Sequence, residues 1–310
     1  MASTLDTDRP AEPHHVAGVA LRLVTALLLA VMFALVKLAS MRGVNIVETL
    51  FYRQCGSALC AVGLVAAGPG FKSLHSKRVG AHVGRMALGM VAMALNFAAM
   101  IMLPLAEATA IGFSVPIFST VLAAIMLSEP TGKWRWGAVA AGFVGVLLIV
   151  QPGIGEVPFV GASVALAAAL LTASVTIVIR QLGKTERAST TVFWFAASSL
   201  VPLGAMMFWF ARGHDPSTWA VLAGLGLAGG LAQLTLTGSL RLAPVALVMP
   251  MDYTSLVWAV LLGALIFAEM PTPWFWVGAP IIIVSGLLIV WREHRLARRA
   301  ALSAATASPN

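Results

Sequence analysis

The sequence predicts an all-α membrane protein whose ten transmembrane helices form two inverted five-helix repeats. Three observations predict it. Apolar runs of membrane length recur with short polar breaks, tryptophans mark the ends of most of them, and the second half of the chain repeats features of the first. The composition agrees: 59% of the 310 residues are hydrophobic and 10% are charged, against about 25% charged in a soluble protein. So few charges cannot cover a soluble fold of this length, whereas a spanning helix needs about 20 apolar residues and tolerates few charges.

The runs place spans at 18–40, 46–68, 82–103, 107–127, 134–151, 159–180, 190–211, 219–240, 244–268 and 273–291. Each must be helical, because lipid cannot satisfy backbone groups left open. Breakers such as Gln151-Pro152-Gly153 and Asp215-Pro216 separate them. Trp134, Trp136, Trp209, Trp219, Trp274, Trp276 and Trp291 fall near span ends, as an interfacial belt requires, while Trp194 and Trp258 sit deeper. Residues 1–17 read as a disordered tail, and the run after them is too long for a signal-peptide core. The units are therefore 18–151 and 159–291, followed by a basic tail over 292–310.

The net charge of +8 does not point to nucleic acid, because the basic residues fill the gaps between apolar runs. They set orientation instead. A cytoplasmic N-terminus leaves Lys37, Arg42, Arg53 and Arg212 outside and the other 16 lysines and arginines inside. The positive-inside rule therefore puts both termini in the cytoplasm, which requires an even number of spans. Cys55 and Cys60, five positions apart on one helix, read as buried free thiols.

Self-similarity divides the chain. Met126–Pro130 with Trp134–Gly137 resembles Ile266–Met270 with Trp274–Val277 at an offset of 140 residues, and Leu103–Glu107 resembles Leu240–Pro244 at 137. The second offset sets Asn96 opposite Gln233. Five spans per half make the second copy enter the membrane from the opposite side, the inverted architecture of many secondary transporters.

These residues carry a family resemblance. Glu107-Ala108-Thr109-Ala110-Ile111, Pro116, Glu129, Trp136, Gly142, Gly145 and Val146 resemble the first EamA-type repeat of the drug/metabolite transporter superfamily. Ala243-Pro244, Asp252, Glu269 and Gly286 resemble the second copy. Asp252 stands where many members carry glutamate, so a carboxylate is kept. The resemblance implies a ten-helix transporter of a bacterial inner membrane that moves amino acids, other metabolites, vitamins or drugs, with no cofactor.

Ionisable groups inside spans cost about 2.5 kcal/mol or more and ask for a reason. Asp252 reads either as a cavity carboxylate that binds a cation or a coupling proton, or as a hydrogen-bonded carboxyl joining two helices. Pro250 and Pro116 each free a carbonyl one turn earlier that a cavity would offer to a solute, with a plain structural kink the preferred reading for either alone. Asn96 and Gln233 suit a polar solute at the midplane or an interhelical contact. Arg53 reads as a partner of Glu48 or an anion contact, and Lys37 as a residue snorkelling to the interface. Tyr253, Ser114, Trp258 and Trp194 complete the candidate substrate set. Glu129 and Glu269 read as caps of the helices that follow them, and Gly137, Ala141 and Gly145 as a close-packing stripe.

A secondary transporter, working as monomer or homodimer on a small solute, is the expected function. No GxxxxGK[ST] loop provides direct ATP coupling. An intramembrane enzyme lacks support, because all six histidines fall in tails, loops or span ends and no HExxH occurs. A membrane assembly or sensory protein without transport is the other alternative.

Overall fold

The computed structural model describes residues 13–66, 70, 76, 78–126, 132–153, 156–182, 185–186 and 188–306. They form α1 (Pro13–Met41), α2 (Ile46–Ala66), α3 (Val79–Met102), α4 (Leu105–Gly112), α5 (Val115–Met126) and α6 (Lys133–Val150) in the first half. The second half holds α7 (Phe159–Leu182), α8 (Ala188–Phe210), α9 (Pro216–Leu242), α10 (Val245–Val248), α11 (Thr254–Phe267) and α12 (Phe275–Thr306), with a 3-10 segment over Met249–Tyr253. Glu129, expected to cap a helix, lies outside the described residues.

Two boundaries move. α1 begins at Pro13 rather than 18, since proline in a first turn lacks only a donor that would be unpaired anyway. α12 continues through much of the basic tail to Thr306, where arginine, alanine and leucine favour helix.

Nine membrane-length apolar segments are present among the described residues, with α4–α5 and the 3-10 segment with α11 each counting as one. The tenth span is α2. It carries Glu48, Arg53 and Gln54; Arg53 is half-buried, and Glu48 and Gln54 are fully buried against α8 and the turn that follows it. Facing protein rather than lipid removes the usual penalty. Outward positions carry apolar side chains instead, with Phe208 and Leu265 more than four-fifths exposed.

The halves interlock in pairs that exchange under a two-fold. α1 packs on α9 as α7 packs on α3, and α2 on α9 as α8 on α3. α2 with α8 and α6 with α12 lie on the axis, as do the two interrupted fourth spans, which meet through α4 and α11. With five spans per half, that axis lies in the membrane plane. Small residues permit the closest crossings: a Cβ on Gly56 of α2 would stand 1.9 Å from the Gly226 carbonyl oxygen of α9. Gly145 of α6 meets Gly278 of α12, whereas Gly137 faces open space.

The fourth span of each half is broken. In the first, Pro116 cannot donate to Gly112, and the chain tightens between α4 and α5; the Ser114 hydroxyl donates to Ile111 O at 2.7 Å. In the second, Pro250 lies in the 3-10 segment, and the hydroxyls of Thr254 and Ser255 donate to Met251 O and Asp252 O at 2.6 and 2.7 Å. Local hydroxyls thus cover carbonyls that lipid would leave open. The two breaks touch, with the Phe113 and Tyr253 rings 4.7 Å apart.

The structure also corrects the repeat register. α3 ends at Met102 and α9 at Leu242, each followed by one extended residue and then Pro104 or Pro244. The offset of 140 holds there too, so Asn96 stands opposite Leu236 and not Gln233.

Candidate functional site

Three features are stacked along α1. Near its start, Arg22 donates from Nε and Nη2 to the two carboxylate oxygens of Asp252, both at 2.5 Å. Fifteen residues on, about 22 Å along the helix axis, Lys37 donates to Glu269 and to Leu103 O, the latter at 2.8 Å. Between them Leu29, Met32 and Phe33 form one wall of a cavity. Both ion pairs join the first helix of one half to the broken span of the other or the turn ending it.

The Lys37 cluster extends further. Glu269 accepts from Leu105 N at 3.2 Å, so it caps the start of α4 rather than the helix following it. Glu107, fully buried, accepts from Thr272 N at 2.9 Å in return. Each carboxylate thus holds a backbone donor of the opposite half. Lys37 is buried and does not snorkel, because two acceptors inside the protein replace water.

The cavity lies between α1, α2, α3, α7 and α8, is partly open to the outside, and has a volume of about 220 Å³. Most of its lining is apolar or aromatic, including Phe33, Phe97 and Phe195, with Arg53, Arg85, Asn96 and Thr172 as its polar members. The Thr172 hydroxyl is spent on Ala168 O at 2.7 Å. Arg53 donates to the Gln54 amide oxygen, which in turn reaches Ser199 through its nitrogen. It does not pair with Glu48, whose carboxylate instead accepts from Arg212 N and contacts His214 at 3.0 and 3.1 Å. The Arg85 guanidinium lies 4.1 Å from the centre of the Phe195 ring, a cation–π contact. Gly89 makes room for that ring, since a Cβ there would come within 2.9 Å of it.

The remaining candidates fall elsewhere. Asp252 belongs to the ion pair with Arg22. Tyr253 packs on Phe113, with its hydroxyl against Gly286. Ser114 is fully buried in the first break. Gln233 is half-buried on α9 and does not line the cavity. Trp194 stacks on His82 at 5.5 Å, and Trp258 is 36% exposed on α11. Neither tryptophan lines the cavity; Phe195, one residue past Trp194, does. Arg22, Arg85 and Phe195 were not singled out from sequence. The available signal for the two arginines was their position inside predicted spans, at the fifth and fourth residues of 18–40 and 82–103. Among the described residues no group of three or more His, Cys, Asp or Glu is placed to hold a metal ion.

A ten-helix bundle of inverted halves around a cavity defines a polytopic membrane transporter, and comparison with known proteins agrees. The EamA-like transporter family matches residues 16–151 and 159–291. The chain belongs to that family, transports small solutes and is not an enzyme. It is 32% identical to a riboflavin transporter of Rhizobium johnstonii, over 71% of this chain and 73% of that one. It is 26% identical to a riboflavin transporter of Vibrio cholerae, over 74% and 77%. A pseudopaline exporter of Pseudomonas aeruginosa is 27% identical over 86% and 94%. A solved crystal structure, 17% identical, superimposes with a TM-score of 0.60 over 91% of this chain and 99% of that one, which supports the fold alone.

Proposed function

We propose that the protein is a secondary transporter that moves a small metabolite across a bacterial inner membrane by alternating access. The cavity between α1, α2, α3, α7 and α8 holds the solute, with Arg53, Arg85 and Asn96 as its polar contacts. The observation that carries this reading is the placement of one ion pair on each side of that cavity along α1. Each pair crosses between the halves, so opening one while the other stays closed exposes the cavity to one face at a time. At about 220 Å³ the cavity is below the usual range for ligand pockets, about 300–1,000 Å³. A larger solute therefore requires the helices to part.

Asp252 is the proton-coupling residue in this scheme. Protonation of its carboxyl removes the charge that holds Arg22, so one proton opens one gate. Both termini lie in the cytoplasm. The membrane-embedded Arg22 and Arg85 leave the inner side of the count, and Lys37 and Arg53 leave the outer. The bias of 16 against 4 thus becomes 14 against 2, which favours that orientation more strongly. The relatives named for riboflavin and pseudopaline frame the solute classes to try.

The test is counterflow in proteoliposomes with riboflavin, S-adenosylmethionine, amino acids and polyamines. Saturable counterflow of at least one solute is expected, with Asp252→Asn still exchanging it but no longer driven by a pH gradient. A folded protein that exchanges none of them contradicts the reading.

A further inference from the structure

We infer that the cavity is an anion site, and that its solute carries a carboxylate, phosphate or sulfonate group held jointly by Arg53 and Arg85. This rests on the transport reading above and adds the charge class of the solute. The two guanidiniums line one cavity. Neither has an ion-pair partner among the described residues: Arg53 meets a neutral amide, and Arg85 meets the face of a ring. Nε of Arg53, and Nε and Nη1 of Arg85, are buried without an acceptor. Glu48, five residues before Arg53 and the acid nearest to it along α2, is committed to Arg212 N and His214.

The cations of α1 show the contrast. Arg22 and Lys37 are buried much as Arg85 is, while Arg53 is half-buried, yet only the two on α1 each have a carboxylate. Two uncompensated like charges inside a bilayer are unfavourable, and an entering anion relieves both at once. The planar fork of arginine matches carboxylate and phosphate oxygens in pairs. An amine solute fits poorly, because the cavity wall contains no acid among the described residues and Asp252 is already taken by Arg22. The body of the solute would lie against Phe33, Phe97 and Phe195. Asn96, whose Oδ1 has no partner, would accept a hydrogen bond from it.

The test is equilibrium binding to purified protein in nanodiscs, using two matched pairs: indole-3-acetate with indole-3-acetamide, and riboflavin 5′-phosphate with riboflavin. The anionic member of at least one pair should bind ten-fold or more tightly than its neutral partner. Arg53→Gln and Arg85→Gln should each abolish that preference, and the corresponding lysine variants should retain part of it. No preference in the wild-type protein overturns the inference, absence of binding included, and this outcome does not depend on how the variants fold. An anionic lipid headgroup offers the same phosphate, so the titration is repeated with phosphatidylglycerol added to phosphatidylcholine. Competition by that lipid assigns the site to a headgroup and overturns the solute reading. Binding is measured without a gradient, so its failure is distinct from a failure of counterflow.

Discussion

Asp252→Asn should open the cavity toward the Arg22 face. The substitution keeps one amide oxygen for Arg22 but removes the carboxylate charge and one of two 2.5 Å hydrogen bonds. Breaking a fully buried ion pair costs about 3–5 kcal/mol. The Asp252 side chain is 34% exposed, so water offsets part of this and about 2 kcal/mol remains. At about 1.4 kcal/mol per factor of ten, the closed-to-open equilibrium at that face shifts about 30-fold. The assay requires no knowledge of the solute. Leu29→Cys places a thiol in the cavity wall, in a background with Cys55 and Cys60 replaced by alanine. A membrane-impermeant maleimide is applied to right-side-out and inverted vesicles. Labelling from the Arg22 face should rise by about the same factor, and labelling from the Lys37 face should fall. Equal labelling in folded wild-type and variant protein, or a rise from the Lys37 face alone, refutes the gating argument.

Glu269→Gln should do the reverse, raising Leu29→Cys labelling from the Lys37 face; it should also loosen the start of α4, seen as faster amide exchange at Leu105. Gly56→Val forces side-chain atoms into the Gly226 carbonyl, and such overpacking should lower stability by about 1–3 kcal/mol, read as a reduced melting temperature in detergent. Asp215, outside the spans, accepts from the hydroxyls and amides of Ser217 and Thr218 at the start of α9, and those bonds hold its carboxyl below the usual carboxylate range. A depressed carboxylate adds stability above its unfolded value of about 3.9 and loses it as pH falls through the folded one. Asp215→Ala should therefore lower the melting temperature at neutral pH and flatten its decline in acid.

The spans were legible because an apolar run of membrane length admits one structure. The breaks in the fourth and ninth spans were legible in part, since Pro116 and Pro250 mark where a carbonyl loses its donor. The ion pairs were not. Arg22 and Asp252 are 230 residues apart in sequence, and the pattern along either helix says nothing about which partner crosses the bundle to meet it. Lys37 was misread for the same reason: proximity to a span end suggests snorkelling, but Glu269 and Leu103 O were already within reach inside. Trp194 and Phe195 show a further limit. One residue turns a helix face by about 100°, and apolar runs that are hydrophobic all round do not fix that phase. The pairing of Asn96 with Gln233 depended on a register three residues out of step with the helix ends.

Alternation between the two latches is tested most directly by closing one covalently. In the cysteine-free background, Lys37→Cys with Glu269→Cys, and separately Arg22→Cys with Asp252→Cys, are joined by a short bifunctional thiosulfonate. Counterflow of whichever solute the proteoliposome panel identifies should stop in either cross-linked protein and return on reduction. Transport at the uncross-linked rate with either latch sealed contradicts the account.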